Sequence, residues 1–190
     1  MVVRPLAPGD DRSQFRSTSP ELERFLRQFA GQNQFKHHIG VTYVAVADDG
    51  TIVGYVTVAS GAMEADRLPA DLKKRLPRHP LPILRLARLA SHSDFQGQGI
   101  GEALVRYVFD VALEQMEKLG CIGIVVDSKP GSDSFWERWG LIPLEVVEGQ
   151  PDARPQPTAM FLPVSALLAA RTAAEPTGAA ASKSSKPLGS

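Results

Sequence analysis

Cysteine is almost absent from this chain, since Cys121 is the only one among 190 residues. A disulfide inside the chain is therefore excluded, and with it the scaffold of a small disulfide-stabilised secreted domain. Cys121 begins the apolar stretch at residues 121–126, which predicts a buried structural thiol rather than a reactive one. A lone thiol is typical of a reducing compartment, so we expect a cytoplasmic protein.

Long apolar runs and an excess of one charge are also missing. No segment reaches the roughly 20 apolar residues of a membrane span, and the N-terminal stretch carries charge and prolines where a secretory signal needs apolar residues. We therefore expect no membrane association. The 21 basic and 21 acidic side chains give a formal net charge of zero, so any binding of nucleic acid must rest on local clusters. The chain is 43% hydrophobic and 22% charged, which is typical of a soluble globular domain.

The first half of the chain predicts a helix followed by a hairpin. Ser19-Pro20 is a helix start, with serine as the cap and proline in the first turn. Two β-branched stretches, residues 42–47 and 51–60, flank Asp48-Asp49-Gly50 and predict a β-hairpin. Residues 64–82 are rich in proline and predict an exposed loop with a short helix, before a strand at residues 83–90. The spacing of four apolar residues predicts the buried face of the first helix: Leu22, Phe25, Leu26 and Phe29.

The second half predicts a long helix from Ile100 to a stop at Gly120. Residues 172–190 consist almost entirely of Ala, Ser, Pro, Gly, Thr and Lys and bury too little apolar surface to fold, so they predict a disordered tail after a single domain at residues 1–171. Between helix and tail the predicted elements are a buried strand at 121–126, a short helix at 132–139, strands at 141–147 and 158–162, and a helix at 164–171.

The glycine-rich segment Gln96-Gly97-Gln98-Gly99-Ile100-Gly101 follows a strand and opens the long helix. Unpaired N–H groups and the helix dipole favour an anion at such a terminus, and glycines let a phosphate approach the main chain. A Walker loop is excluded because Glu102 follows Gly101. The glycine spacing and mid-chain position exclude a Rossmann fingerprint. A tight glycine turn without a ligand remains the alternative.

In this segment the chain resembles the GNAT (Gcn5-related) N-acetyltransferases, whose motif Arg/Gln-x-x-Gly-x-Gly/Ala is matched by Gln96, Gly99 and Gly101. The resemblance implies an α/β (α+β) fold with a central, mixed but mostly antiparallel sheet flanked by helices. It implies acetyl-CoA as co-substrate, bound at a splay between central strands, and no metal. The implied contacts are the main chain of Leu89, Ala90 and Ser91 for the pantetheine arm, the loop from Gln96 through Gly97, Gln98, Gly99 and Ile100 to Gly101 for the pyrophosphate, and Phe135.

A narrower resemblance covers about residues 19–163 and points to the TacT/AtaT-type acetyltransferase toxins. It implies acetylation of the α-amino group of aminoacyl-tRNA, neutralisation by a ribbon-helix-helix antitoxin, and a homodimer. The blocks that carry it, in order, are ELERFLRQFAGQNQ, TYVAVADDGTIVGYVTVASG, LPRHPLPILRLARLA, FQGQGIGEALV and FWERWGLIPL.

The last of these blocks departs from the family, because Trp136 stands where the family normally has a tyrosine. That tyrosine is the proposed acid for the departing CoA thiolate, whereas an indole N–H donates a hydrogen bond but does not give up its proton. Three interpretations stay open. Trp136 stabilises the thiolate by hydrogen bonding while water supplies the proton; another group, such as Tyr43, Tyr55 or Tyr107, supplies it; or Trp136 only packs and the protein is a weak or binding-only member.

The acceptor side is less well defined by the sequence. An α-amino group, with a pKa of about 8, needs no strong base, and the only candidate base is Glu64, after the hairpin strand. Arg85 and Arg88 are three residues apart, which predicts opposite faces of a strand. A small amine or a protein N-terminus remains an alternative acceptor. The basic run at residues 73–75 is either a phosphate-binding cluster or simply the solvated face of a helix. The predicted tRNA contacts are Lys36, Lys73, Lys74, Arg75, Arg78 and Arg88.

Overall fold

The computed structural model describes residues 1–144 and 157–174, which form a seven-stranded sheet with helices on both faces. The strand order is β1-β2-β3-β4-β5-β7-β6, and the one parallel neighbouring pair among these strands is β4 and β5. The predicted mixed, mostly antiparallel architecture is confirmed. The strands are β1 (Val2–Pro5), β2 (Val41–Val46), β3 (Ile52–Met63), β4 (Leu81–Ser91), β5 (Gly123–Ser128), β6 (Ile142–Pro143) and β7 (Thr158–Pro163).

Helices cover the two faces of the sheet unequally. The helices are α1 (Pro20–Arg24), α2 (Ala70–Lys73), α3 (Ile100–Leu119), α4 (Asp133–Glu137) and α5 (Val164–Ala174). Helix α3 buries Leu104 and Val108 against one face of β3, where Val56 and Val58 lie. Helix α1 and the turns that continue it bury Leu26 against the opposite face, beside Tyr55. We call these the α3 face and the α1 face of the sheet.

The first helix begins as the sequence predicts, with the Ser19 hydroxyl accepting a bond from the Leu22 amide at 3.5 Å. The helix then widens into two π-helical stretches, Phe25–Phe29 and Gln32–Lys36. The prediction that Phe29 belongs to the buried face is wrong, because the side chain is 38% exposed. A π turn has more residues per turn than an α turn, so Ala30 is fully buried in place of Phe29.

A β-bulge corrects the prediction for the two arginines of β4. Thr57 of β3 faces Arg88, while the next residue, Val58, faces Leu86, so Ala87 is the extra residue of the bulge. Because a bulge shifts the alternation of side chains by one, Arg85 and Arg88 point to the same face rather than to opposite faces. That face is the α1 face, where the Arg88 guanidinium lies 4.0 Å from the centre of the Phe25 ring.

The remaining predicted elements are found with small shifts. The hairpin, the short helix in the 64–82 segment, the long helix ending at Gly120 and the strand after it are all confirmed. Of the strand predicted at 141–147, residues 142 and 143 form β6, and residues 145–147 lie outside the described residues. The last helix runs to Ala174, so residues 172–174 of the predicted tail are helical, as expected of an alanine-rich stretch. Residues 175–190 lie outside the described residues.

Candidate active site

The centre of the sheet opens where β4 and β5 part. The two strands pair only at residues 84–86 and 124–126. Beyond that point β4 follows β3 as far as Ser91, while β5 follows β7 as far as Ser128. A cavity of about 460 Å³ lies between the diverging ends and is lined by residues from both faces of the sheet. The edge of β4 that borders the cavity has main-chain groups with no strand partner.

The register of β4 shows which main-chain groups face this cavity. The His92 amide donates to the Val53 carbonyl at 2.8 Å. Because N–H and C=O groups alternate in direction along a strand, the main chain of Ala90 also points towards β3, and that of Leu89 and Ser91 points into the cleft. Of the three predicted contacts, Leu89 and Ser91 therefore offer main-chain hydrogen bonds to the cavity, whereas Ala90 contributes to its wall.

The glycine loop lies at the α3 side of the cavity. Gly97 and Gly99 both have a φ of +75°, a conformation that side chains other than glycine rarely adopt. The first bond of α3 runs from the Ala103 amide to the Gly99 carbonyl at 3.0 Å, so the amides of Ile100 and Gly101 have no acceptor within the helix. A Cβ at Gly101 would meet no other atom within 4 Å. The start of α3 thus presents bare amides to open space, which is the geometry of an anion site.

Two buried residues hold this loop in place. A Cβ on Gly54 of β3 would lie 2.5 Å from Ile100 Cγ2, so the glycine allows the first turn of α3 to approach the sheet closely. His92 is buried between Phe15 and Phe95 and follows β4. Its Nδ1 accepts from the Asp94 amide at 3.2 Å, which leaves Nε2 to donate to the Gln14 carbonyl at 3.3 Å.

Helix α4 closes another wall of the cavity. The buried Ser128 hydroxyl at the end of β5 donates to the Asp133 carboxylate at 2.5 Å and so fixes the first turn of α4. Phe135 and Trp136 from this helix both line the cavity, with their rings edge to face and 4.9 Å apart. Trp136 is only 8% exposed and also packs in the main core.

The mouth of the cavity on the α1 face is charged. Arg88, Asp127 and Lys129 line it, and Arg85 Nη1 lies 2.6 Å from Asp127 Oδ2. Lys129 Nζ reaches across to Glu21 of α1 at 3.1 Å. Sequence reasoning missed Asp127 and Lys129. The available signal was their position at the end of a buried strand beside the strand that enters the glycine loop.

The comparisons with known proteins agree with this geometry. The family model described as Acetyltransferase (GNAT) family matches residues 10–141. The chain belongs to the GNAT acetyltransferase family. A "tRNA-acetylating toxin" of Mycobacterium tuberculosis is 29% identical over 123 residues, which is 65% of this chain and 72% of that protein. This GNAT chain is therefore an N-acetyltransferase, and acetyl-CoA is the co-substrate of its family.

Solved structures resemble this GNAT protein over most of its length. A tyrosine-to-phenylalanine variant of KacT is 26% identical, with a TM-score of 0.78 over 89% of this chain and 98% of that chain. AtaT, solved as a complex with acetyl-methionyl-tRNAfMet, is 24% identical, with a TM-score of 0.79 over 90% of this chain and 98% of that chain. The second likeness establishes the fold alone.

None of the three tyrosines lines the cavity of this acetyltransferase. Tyr43 and Tyr107 contact each other with ring centres 4.8 Å apart, away from the splay. The Tyr55 hydroxyl is held by the Leu22 carbonyl at 2.8 Å, and burial raises the pKa of this phenol. The interpretation in which one of these tyrosines supplies the proton therefore has no geometric support.

The predicted tRNA contacts are spread over the surface of the protein. Arg88 alone among them lines the cavity. The others are exposed: Lys36, Lys73, Lys74, Arg75 and Arg78. Glu64, the candidate base, is also exposed and does not line the cavity. Within residues 1–144 and 157–174, no three His, Cys, Asp or Glu side chains come together to hold a metal ion, and no helix is long and apolar enough to span a membrane.

Proposed function

We propose that this protein transfers the acetyl group of acetyl-CoA to the α-amino group of aminoacyl-tRNA and acts as a toxin. The observation that carries the proposal is the cavity itself. It runs through the sheet from an anion site on the α3 face to a mouth on the α1 face that holds Arg88 and Lys129. Donor and acceptor can thus enter from opposite sides. The tRNA-acetylating relative supports an acceptor of this kind.

On the donor side, the amides of Gln98, Gly99, Ile100 and Gly101 bind the pyrophosphate of acetyl-CoA. Gly97 gives the loop its left-handed turn, and Gln96 and Phe135 border the same space. The cleft-facing amide and carbonyl groups of Leu89 and Ser91 bind the pantetheine arm as they would bind a neighbouring strand. Ala90 forms part of the cavity wall beside the arm. In this proposal one of the two cleft-facing amides donates to the oxygen of the thioester as charge develops there.

On the acceptor side, Asp127 receives the amine. Arg85 Nη1 contacts Oδ2 of this carboxylate, which leaves Oδ1 to accept a hydrogen bond from an N–H of the neutral amine. An α-amino group with a pKa of about 8 is partly neutral at pH 7, so a strong base is not required. The nitrogen forms the new bond to the carbonyl carbon, the bond from that carbon to sulfur breaks, and water takes the proton that the nitrogen releases.

Trp136 occupies the position of the family's tyrosine but does not act as a general acid. Its indole N–H donates a hydrogen bond to the departing thiolate, and water supplies the proton to sulfur. A positioned acid typically contributes about 10²–10⁴-fold, so we expect a slower enzyme than one with a tyrosine. The burial of Trp136 in the main core favours a second candidate, an acyl-CoA-binding protein without turnover.

The test is transfer of labelled acetyl from acetyl-CoA to a charged total-tRNA pool, with deacylated tRNA as control and with native protein beside Trp136→Tyr. We expect label on charged tRNA with the native protein and a faster rate with the variant. Label with the variant alone would show that Trp136 disables catalysis and would favour the binding-only candidate. Absence of label with both proteins would refute aminoacyl-tRNA as the acceptor and leave small amines and protein N-termini.

We further propose a homodimer that a ribbon-helix-helix antitoxin neutralises. AtaT, a structural neighbour, has been solved with the C-terminus of its antitoxin AtaR, which supports a partner of this general kind. Light scattering on the purified chain measures the oligomeric state, and a monomer at micromolar concentration would refute the dimer. Loss of acetyl transfer on adding the purified product of an adjacent ribbon-helix-helix gene would support the antitoxin.

A further inference from the structure

A second groove adjoins the acceptor mouth on the α1 face. It has a volume of about 370 Å³ and is lined by Pro20, Glu21, Arg24, Phe25, Phe29 and Arg88. Arg88 lines both this groove and the cavity between β4 and β5. A ligand whose reactive group enters the mouth therefore extends directly into the groove.

The groove presents two guanidinium groups stacked on two aromatic rings. Cζ of Arg88 lies 4.0 Å from the centre of the Phe25 ring, and Cζ of Arg24 lies 5.3 Å from the centre of the Phe29 ring. Among the residues that the structure describes, Glu21 is the one carboxylate that lines the groove, and its charge is offset by Lys129 at 3.1 Å. Phe25 is buried, so Phe29 is the ring of the two that is exposed to a ligand. An exposed aromatic ring beside planar cations suits a ligand that is itself flat and is attached to phosphate.

The position of Phe29 is a consequence of the π-helical turn. Helical spacing would bury this ring, yet the wider turn at Phe25–Phe29 leaves it 38% exposed beside the groove. Exposing a large aromatic ring forfeits part of its burial energy. Single π turns inside helices occur frequently at functional sites, and here the turn brings an aromatic face next to Arg24.

We propose that this groove binds the base of the 3′-terminal nucleotide of the acceptor RNA by stacking on Phe29, with Arg24 and Arg88 near the adjoining phosphate. The inference rests on the proposed function, in which the α-amino group enters the cavity. In aminoacyl-tRNA one ester and one ribose connect that amine to the terminal base. The base must therefore lie beside the mouth, where the groove is. Stacking is tolerant of sequence because every base has a flat face.

The test uses a short RNA hairpin that ends in CCA, with 2-aminopurine as the last base, because the fluorescence of this base falls when it stacks on an aromatic ring. We expect quenching on addition of the native protein. Phe29→Ala should abolish the quenching and weaken binding about tenfold, a typical effect for the loss of one stacked base, and Phe29→Trp should retain both. Phe35→Ala is the matched control, because Phe35 is 39% exposed in the second π-helical stretch and does not line the groove.

Absence of quenching with the native protein, or equal losses with Phe29→Ala and Phe35→Ala, would overturn the proposal. So would a Phe29→Ala variant that binds the RNA normally but loses affinity for a protein partner, because the groove would then bind a peptide. Failure of the two proposals can be told apart. Acetylation of charged tRNA without quenching would refute only the stacking of the terminal base in the groove. Quenching without acetylation would refute only aminoacyl-tRNA as the acceptor.

Discussion

The substitution Gly101→Leu is expected to weaken binding of acetyl-CoA without destabilising the fold. Gly101 is in the first turn of α3, has no positive φ, and has no other atom within 4 Å of the place where a Cβ would lie. Leucine is a better helix former than glycine, by roughly 0.5–1 kcal/mol, so the free protein should melt no earlier than the native one. The added side chain instead occupies the space in front of the amides of Ile100 and Gly101.

The magnitude follows from the bonds that would be lost. Displacing a phosphate from two amides removes two charge-assisted hydrogen bonds, each contributing about 1.5–3 kcal/mol. The sum of about 3–6 kcal/mol corresponds to a dissociation constant for acetyl-CoA raised by about 10²–10⁴-fold. Isothermal titration calorimetry measures this constant, and circular dichroism measures the melting temperature without ligand.

Gly9→Leu is the matched control, since Gly9 also has open space around its Cβ position, lacks a positive φ and does not line the cavity. Equal affinities for the two variants would refute the assignment of the pyrophosphate to the start of α3. The neighbouring Gly99 is a poorer choice, because its φ of +75° means that a β-branched residue there would add roughly 1–2 kcal/mol of strain. Lost binding and a damaged fold would then be confounded.

Two further outcomes are expected. Asp127→Asn should lower kcat/KM for the amine about fivefold, the modest effect of a half-exposed charge, and leave the affinity for acetyl-CoA unchanged; an unaltered kcat/KM would remove Asp127 from the acceptor site. The hydrogen bond from Arg4 lowers the pKa of Asp10 in the folded protein. The ionised carboxylate therefore stabilises the fold fully at a pH above its unfolded-state pKa of about 4. This stabilisation is lost as the pH falls through the lower pKa of the folded state. The difference in melting temperature between native protein and Asp10→Asn should accordingly be largest near neutral pH and shrink below about pH 4, and a difference independent of pH would contradict this.

The sequence by itself determined those features that depend on neighbouring residues. The serine cap before Pro20, the hairpin around Gly50 and the stop at Gly120 follow from local hydrogen bonding and from the freedom of glycine to adopt a positive φ. The chemistry of the glycine loop is local as well, because a helix supplies its own unpaired amides. The bare amides at the start of α3, which we propose bind the pyrophosphate, and the family resemblance were therefore predictable without coordinates.

The tertiary structure decided what depends on pairing between distant segments. A bulge at Ala87, which no local signal marks, put Arg85 and Arg88 on one face of the sheet because one extra residue reverses the alternation. The splay of β4 from β5 brought Asp127 to the proposed acceptor mouth. There Asp127 contacts Arg85, which lies 42 residues earlier in the chain. The π turn that exposes Phe29 is likewise set by how the helix packs on Tyr55 and its neighbours. The register and packing of the whole sheet set these positions. Of the charged residues at the proposed acceptor mouth, the sequence therefore predicted Arg88, whereas only the fold revealed Asp127 and Lys129.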